Sequence, residues 1–234
     1  MRFVACGASV TGPHHLDQGQ PNQDAMRLAG WRGGWLATVA DGLGSRPHSD
    51  IGSRRACQVG RRILRQTMPT LKFVDALPVI HEQWVKAIAP YEPRDTATTL
   101  LLSRITANGQ VHAAQLGDGL VLLRVGGQFQ CMTPRREGYG NQTWALESAY
   151  RPDKWHTAEG TLTQAGDGVV LITDGIADDL DPEQLSAFMA GLYEDLRTRN
   201  RRSGRRWLQS ELTDWSTPMH SDDKTLVAIF RISQ

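Results

Sequence analysis

Aspartates stand at the ends of several apolar, strand-like segments of this sequence. Residues 35–40 are apolar enough for a buried strand and run directly into Asp41, and residues 169–172 run through Thr173 into Asp174. A glycine follows each of these acids and permits the sharp turn that a chain needs on leaving a sheet. Carboxylates from distant parts of a chain can meet when their strands end at the same edge. The pattern therefore predicts a sheet with an acidic edge.

The same pattern recurs elsewhere along the chain. Asp118 follows the apolar residues 111–116, Asp24 stands just before another strand-like segment, and Asp222 precedes the strand-like residues 226–232. Carboxylates held close together repel one another, and their pKa values rise unless cations neutralise them. Carboxylate and backbone carbonyl oxygens are the ligands that Mg²⁺ and Mn²⁺ prefer. The acids therefore predict a metal site.

Six short motifs resemble, in chain order, those of the metal-dependent type 2C protein phosphatases (the PPM family), and most closely its compact bacterial branch. The motifs are residues 22–24, 41–44, 95–99, 116–118, 173–175 and 222–225. The likeness extends from about Gly7 to Phe230. It implies an α+β fold: a four-layer α-β-β-α sandwich of two mainly antiparallel sheets with helices on the outside, in a single domain covering residues 1–234. Periodicity alone indicates only mixed helix and strand content with hairpins.

The resemblance implies a site for two Mn²⁺ or Mg²⁺ ions. Asp41 would bridge both ions and the Gly42 carbonyl would complete one side, while Asp174 and Asp222 would hold the other. Asp223 is the alternative to Asp222 if the register is off by one residue. A water activated by the two cations would attack the phosphorus of a phosphoserine or phosphothreonine, without a covalent enzyme intermediate.

The resemblance also implies roles for two further acids, Asp118 and Asp24. In the family, the aspartate at the position of Asp118 helps to hold an additional, weaker metal ion. Asp24 is expected to act through water, and it joins Asp41 and Asp174 in the expected catalytic set. Gln23 stands where the family commonly has glutamate; its amide adds no charge to the site but can orient a water. Plain turn acids remain the alternative for Asp24 and Asp118.

The position where the family usually carries a phosphate-binding arginine is Gly19 in this chain. His15, His14 and Arg46 are the candidates that could replace that arginine as donors to the substrate phosphate. Solvated loop histidines are the alternative for the first two, because residues 11–21 read as a polar loop.

The function implied by the resemblance is that of a metal-dependent serine/threonine phosphoprotein phosphatase in signalling, with a cognate Ser/Thr kinase acting on the same substrates. Two alternatives stay open. Gly19 and Gln23 depart from the family pattern and would suit a catalytically weak, phosphatase-like binding or regulatory module. A hydrolase of small phosphate esters would use the same site chemistry.

Composition excludes several other classes. The formal net charge of +1 argues against a nucleic-acid binder, and no apolar run approaches the roughly 18 residues of a membrane helix. The N-terminal segment is too short for a signal peptide. Cys6, Cys57 and Cys131 are odd in number and widely spaced, which indicates buried, inert thiols. A reducing cytoplasm fits these thiols best. The resemblance to the compact bacterial branch implies a bacterial protein, and we expect it to be a monomer.

Local patterns predict several elements. Helical spacing predicts helices over residues 49–66 and 75–89, and Asp181-Pro182 is a strong helix start. Residues 133–155 are polar and irregular and predict a surface loop. The strongly basic run 197–206 is expected to be a loop within a flap-like segment of about 176–218, where it would attract acidic substrates or be merely solvated.

Overall fold

The computed structural model describes residues 1–66, 72–133, 143–215 and 221–232. In chain order, the strands of this part are β1 (Phe3–Val10), β2 (Asp24–Trp31), β3 (Gly34–Asp41), β4 (Leu100–Ile105), β5 (Gln110–Leu116), β6 (Leu120–Val125), β7 (Gln128–Cys131), β8 (His156–Thr161), β9 (Gly168–Ile172) and β10 (Lys224–Arg231). The helices are α1 (Pro13–Asp17), α2 (Ser49–Gln66), α3 (Ala76–Ala87), α4 (Asp174–Ala177), α5 (Leu185–Arg197) and α6 (Arg201–Asp214).

These strands form two five-stranded sheets. Sheet A has the order β1-β10-β9-β6-β7, and sheet B has the order β2-β3-β4-β5-β8. Every pair of neighbouring strands is antiparallel. The β2–β3, β4–β5 and β6–β7 pairs follow one another directly along the chain. The prediction of two antiparallel sheets is confirmed.

Both faces of each sheet are covered. On β10, Val227 and Ile229 pack in the core between the sheets together with Val39 of β3, whereas Leu226 and Phe230 pack in a second core with α5 and α6. The helices α2 and α3 cover the outer face of sheet B in a third core. A strand buried on both faces has no need for polar alternation, which explains the continuous apolar runs of the sequence. The molecule is therefore the predicted α-β-β-α sandwich.

The helices on sheet B follow their predicted pattern. The helix α2 covers the predicted residues 49–66. The helix α3 is shorter than the predicted 75–89 by one residue at its start and two at its end. Gly52 lets α2 lie against the turn before β4, since a Cβ there would stand 1.8 Å from the Thr96 carbonyl oxygen. The Trp84 Nε1 donates to the Gly52 carbonyl at 3.0 Å and joins the two helices. Among the helices of the described residues, none is long and apolar enough to cross a membrane.

The structure corrects two loop predictions. Pro13 begins the short helix α1 within the expected loop 11–21, because a proline is well suited to a first helical turn. In the expected surface loop 133–155, Leu146 is buried and forms a bridge with Thr98; residues 134–142 lie outside the described residues. The following strand β8 was not predicted, because it is a largely exposed edge strand without an apolar run.

The expectation that the basic run forms a loop was wrong. Residues 201–214 form α6, whose N-terminus is capped by the Asn200 side chain, which accepts hydrogen bonds from the backbone of Arg202 and Ser203. Leu208 and Leu212, four residues apart, are buried against sheet A. Arg201, Arg202, Arg205 and Arg206 therefore lie on a helix that packs against β1, whereas Arg197 ends α5 and Arg199 lies in the short connection between the two helices.

Candidate metal centre

The ends of β2 and β3 bring Asp24 and Asp41 together. The two residues are direct cross-strand partners, so their side chains point to the same face of sheet B. Met26 and Val39, two residues further into each strand, lie in the core between the sheets. Because side chains alternate along a strand, both acids also point between the sheets.

Three carboxylates from separate parts of the chain converge at this point. Asp41 ends β3, Asp118 lies in the turn between β5 and β6, and Asp174 begins α4 directly after β9. Oxygen atoms of the three side chains all lie within 4.8 Å of one another. The acidic edge that the sequence predicts is therefore present, and it is made of residues from both sheets.

Asp222 and Asp223 have different surroundings. Asp223 is only 2% exposed, and its two carboxylate oxygens accept hydrogen bonds from the backbone of Gly12 (2.7 Å) and Gln23 (2.6 Å). Asp222 is exposed and lines the cavity in front of the acids. Asp223 is thus bound to two distant backbone N–H groups, whereas Asp222 accepts from the N–H of the adjacent Asp223 at 2.7 Å.

Gly42 packs closely against α2 and belongs to the loop of residues 42–48 that joins β3 to α2, which we call the metal-site loop. A Cβ at this position would lie 2.6 Å from the Ser49 carbonyl oxygen, and the backbone N–H donates to the Gln23 carbonyl at 3.1 Å. Thr98 and Thr99 bind the neighbouring Asp41: the Thr98 hydroxyl donates to its carbonyl at 2.7 Å, and the Asp41 N–H donates to the Thr99 hydroxyl at 3.0 Å. The loop is thus fixed by the backbone and by two threonines.

Threonines also hold two of the other acids. The Thr173 hydroxyl donates to the Asp24 carboxylate at 2.8 Å and accepts from the Thr225 N–H at 3.0 Å, which links sheet B to sheet A. The Thr143 hydroxyl donates to the Asp118 carboxylate at 2.5 Å. Residue type alone did not single out these contacts, because threonine is common in strands. Thr98, Thr99, Thr173 and Thr225 fall inside the motifs, but Thr143 does not.

The acids are electrostatically unbalanced without a cation. Burial raises the pKa of Asp24 and of Asp41 well above 3.8, and the charges of neighbouring aspartates raise both pKa values further. Burial also raises the pKa of Asp174 to about 6, with contributions from Asp118 and Asp222. Among the described residues that line the cavity, none is lysine or arginine. Divalent cations would supply the missing positive charge, so the residues fit a metal centre.

A cavity of about 650 Å³ opens in front of the acids. Its lining is mostly polar and comes from α1 and the following loop, from the Asp41 loop, and from the ends of β9 and β10. It includes Asp178, an acid that sequence reasoning did not select. The described lining residues are His14, His15, Gln18, Gln20, Gln23, Asp41, Gly42, Leu43, Gly44, Thr99, Asp118, Thr143, Asp174, Gly175, Asp178, Ser221 and Asp222.

The three predicted phosphate donors are placed differently. His15 is 7% exposed, lines the cavity, and places its Nδ1 2.9 Å from the Asp223 carboxylate, although without a linear hydrogen bond. His14 lines the cavity beside it. Arg46 is not among the lining residues, because the turn that follows Gly44 carries it away from the acids. Gly19 has a φ of 63° and open space around it.

Comparison with known proteins places this fold among phosphatases. The family model described as Protein phosphatase 2C matches residues 11–215. A probable protein phosphatase 2C, BIPP2C1, from rice (Oryza sativa subsp. japonica) is 28% identical over 197 residues. That match covers 82% of this chain but 32% of the rice protein, so the chain spans about a third of the length of the curated relatives it matches.

Several solved structures have the same fold. PppA, a key regulatory component of T6SS in Pseudomonas aeruginosa, is 18% identical with a TM-score of 0.68, covering 98% of this chain and 97% of its own. The Mycobacterium tuberculosis serine/threonine phosphatase PstP/Ppp is 16% identical with a TM-score of 0.67, covering 100% of both chains. RsbX in complex with magnesium is 13% identical with a TM-score of 0.63, covering 97% and 94%.

Proposed function

We propose, because this chain belongs to the protein phosphatase 2C family, that it removes phosphate from phosphoserine and phosphothreonine side chains of proteins with the help of divalent cations. The observation that carries the proposal is the convergence of Asp41, Asp118 and Asp174 within 4.8 Å of one another, beside a cavity of about 650 Å³. An acidic cluster of this kind favours cations, and the cavity has room for a phosphorylated side chain.

The proposed ligands are all oxygen atoms. Asp41, the Gly42 carbonyl, Asp174 and Asp222 would hold two ions, and Asp118 would help to hold a third, weaker one. Hard oxygen ligands favour Mg²⁺ or Mn²⁺ over softer metals. When bound, the ions would supply an activated water and neutralise the charge of the phosphate. A protein of the same fold, RsbX, is in complex with magnesium, which supports this choice.

His15 is the proposed donor to the substrate phosphate in place of the family arginine. It lines the cavity, and one nitrogen of its ring faces Asp223 at 2.9 Å. Asp223 is itself held by the backbone of Gly12 and Gln23. A carboxylate fixed in this way would hold the ring in one orientation, so that its other nitrogen could donate to a phosphate oxygen. His14 is the second candidate for this role.

Asp24 would support the reaction without contacting an ion directly. Its side chain is 6% exposed and already accepts a hydrogen bond from Thr173. Gln23, which lines the cavity, would orient a water at this edge of the site. In this arrangement Asp24 acts through water on the ligand Asp41, its cross-strand partner.

A catalytically weak binding module is the second candidate function. The observation that favours it is the lining of the cavity, where no lysine or arginine occurs among the described residues. A phosphate would then be held by ions and histidines alone. Binding of a phosphopeptide without turnover would identify this function.

The proposed setting is that of bacterial signalling. Residues 1–234 would act as one monomeric domain in the cytoplasm, opposite a Ser/Thr kinase that phosphorylates the same proteins. Cys6, Cys57 and Cys131 are free thiols in the structure, as a reducing compartment would keep them. The likeness to PstP/Ppp, a serine/threonine phosphatase, supports the substrate class.

A substrate panel tests this function. The purified chain would be given phosphoserine and phosphothreonine peptides, a phosphotyrosine peptide, nucleotides and sugar phosphates, each with Mn²⁺, Mg²⁺ or EDTA. The proposal expects phosphoserine and phosphothreonine peptides to have the highest kcat/KM, and EDTA to abolish turnover. A preference for nucleotides or sugar phosphates would instead identify a hydrolase of small phosphate esters.

A further inference from the structure

A second cavity, which we call the arginine groove, lies on the outer side of sheet B between β2 and the first half of α2. Its volume is about 380 Å³, and it is separate from the acidic cavity. Three of its six lining residues are arginines. The lining consists of Arg27, Ile51, Arg54, Arg55, Gln58 and Tyr91.

The groove carries an excess of positive charge. Arg54 pairs with Asp50 on its own helix, whereas Arg27 donates to the neighbouring Met26 carbonyl at 2.9 Å and Arg55 donates to the neutral Gln58 side chain at 3.0 Å. None of the described residues that line the groove has a carboxylate. Within the part of the chain that the structure describes, Arg27 and Arg55 thus form no ion pair with a carboxylate, although the formal net charge of the chain is only +1.

The shape and chemistry of the groove suit an anionic side chain on a peptide. Guanidinium groups present several N–H donors in a planar fork that matches carboxylate and phosphate oxygens. Ile51 and the ring of Tyr91, which is 37% exposed, add an apolar wall for the chain that carries the anion. A volume of this size holds one or two side chains rather than a folded partner.

The groove lies within reach of the acidic cavity. The Tyr91 ring contacts the His48 ring at a tilt of 50°, with 4.3 Å between their centroids. His48 follows Gly44 by four residues, and Gly44 lines the acidic cavity. Four residues span at most about 14 Å even when fully extended. An extended peptide of about four to six residues therefore reaches from one cavity to the other.

We propose that the arginine groove binds a second anionic group of the phosphoprotein substrate, four to six residues away in sequence from the residue that is dephosphorylated. The anion is either the carboxylate of an acidic residue or a second phosphate, since both match the same donors. The inference rests on the proposed phosphatase function and adds a preference for acidic or multiply phosphorylated segments. In this proposal, the basic surface that selects substrates lies on α2 rather than on α6, which contains most of the basic run 197–206.

Labelled peptides test the groove. Each peptide has one phosphoserine; one version has neutral flanks, and others carry two glutamates or a second phosphoserine five residues before or after it. Fluorescence anisotropy in EDTA gives the affinity of each peptide, and phosphate release in Mn²⁺ gives kcat/KM. p-Nitrophenyl phosphate reports the reaction without a peptide chain.

The variant Arg54→Gln/Arg55→Gln removes two positive charges from the groove. Its matched control is Arg62→Gln/Arg65→Gln, which removes two positive charges from exposed positions of the same helix outside the groove. We expect the wild type to prefer a flanking anion by about three- to tenfold in affinity and in kcat/KM. The groove variant should lose this preference, whereas the control should keep it, and both should hydrolyse p-nitrophenyl phosphate like the wild type.

The outcomes distinguish a failure of the groove proposal from a failure of the proposed phosphatase function. The groove proposal is overturned if the wild type binds neutral and acidic peptides equally, or if both double variants lose the preference to the same extent. A chain that binds acidic peptides through Arg54 and Arg55 but hydrolyses none of them would keep the groove and overturn the phosphatase function. The two flanking anions, compared at equal spacing, show whether a carboxylate or a phosphate is the better occupant.

Discussion

Asp222 and Asp223 show how adjacent carboxylates can have different surroundings. The two carboxylate oxygens of Asp223 accept hydrogen bonds from two backbone N–H groups of distant parts of the chain and lie beside His15, and the residue is buried. Asp222 keeps its carboxylate at the cavity. Sequence spacing could not choose between them, because the choice depends on where the backbone of Gly12 and Gln23 comes to lie.

His15 provides a test of the phosphate-binding role at the scale of one residue. We expect His15→Gln to lower kcat/KM for a phosphoserine peptide by about ten- to a hundredfold, because a hydrogen bond to a charged group contributes about 1.5–3 kcal/mol. His14→Gln, beside it in the same cavity, should change kcat/KM by less than about threefold. A larger loss in the His14 variant would exchange the two roles, and wild-type kinetics in both would contradict the assignment.

Asp167 makes a prediction about stability rather than activity. Its fully buried carboxylate accepts four backbone hydrogen bonds of 2.8–2.9 Å, from Gly126, Gly127, Thr163 and Gln164. Asp167→Ala would leave these N–H groups without their acceptor and should lower the free energy of unfolding by about 3–5 kcal/mol. Urea unfolding followed by circular dichroism measures this loss.

The control for Asp167 is an exposed aspartate. The Asp181 side chain accepts a single hydrogen bond, from the Glu183 N–H at 2.9 Å, at a helix start. Asp181→Ala should cost about 1 kcal/mol, as the loss of a helix cap does. Equal losses in the two variants would show that the four bonds to Asp167 are not a structural anchor.

At the scale of an element, the unit β3–loop–α2 joins the metal-site loop to its support. Gly42→Ala would force a Cβ to within 2.6 Å of the Ser49 carbonyl oxygen, and backbone must move to relieve the clash. We expect this variant to lose about 2–4 kcal/mol of stability and to bind Mn²⁺ more weakly. Isothermal titration calorimetry and urea unfolding measure the two effects.

Gly44 is the matched control within the same loop. A Cβ at Gly44 would meet nothing closer than the Gln23 side-chain oxygen at 3.7 Å, which is ordinary contact. Gly44→Ala should therefore leave stability and Mn²⁺ affinity close to wild type. If both alanine variants bound Mn²⁺ normally, the packing of this loop on α2 would not be what positions Asp41.

For the whole molecule, the acidic cluster predicts how stability depends on pH. Burial holds the pKa of Asp174 at about 6 in the folded chain, above its ordinary value of 3.8. The Asp174 carboxyl therefore binds its proton more tightly in the folded state than in the unfolded state. The contribution of this proton to the free energy of unfolding is fully present below about pH 4 and is lost as the pH rises through 6. The raised pKa values of Asp24 and Asp41 act in the same direction.

Urea unfolding at pH 5 and pH 8, in EDTA and in Mg²⁺, measures this dependence. The metal-free protein should be less stable at pH 8 by about 1 kcal/mol or more from Asp174 alone. Saturating Mg²⁺ should remove the loss, because the cation stabilises the ionised carboxylates. A metal-free protein that is as stable at pH 8 as at pH 5 would contradict the raised pKa values.

The layers of the fold were predicted from the resemblance to the family, whereas short-range patterns indicated only the individual helices and strands. The apolar run of residues 226–232 indicated a central strand, and helical spacing indicated helices over residues 49–66 and 75–89. Two elements, β8 and α6, could not be predicted from these patterns. β8 is an exposed edge strand without an apolar signature, and α6 is so rich in arginine that it reads as a solvated loop although Leu208 and Leu212 are buried.

The candidate site was predictable as a set of acids but not as a geometry. Strand ends indicated that Asp41, Asp118 and Asp174 could meet, and the structure brings them together. The displacement of Arg46 from the cavity and the hydrogen bond from Thr173 to Asp24 depend on loops and on contacts between sheets. Such contacts have no local sequence signal.

The most direct test of a metal-dependent phosphatase is the turnover of a phosphoserine peptide by the wild type and by Asp174→Asn as Mn²⁺ is titrated. Asp153→Asn, an exposed aspartate outside the cavity, serves as the control for the same chemical change. We expect wild-type turnover to rise with Mn²⁺ and to vanish in EDTA, kcat to fall by more than about a hundredfold in Asp174→Asn, and Asp153→Asn to match the wild type. Turnover that persists in EDTA, or equal activity in Asp174→Asn at every Mn²⁺ concentration, would contradict the account.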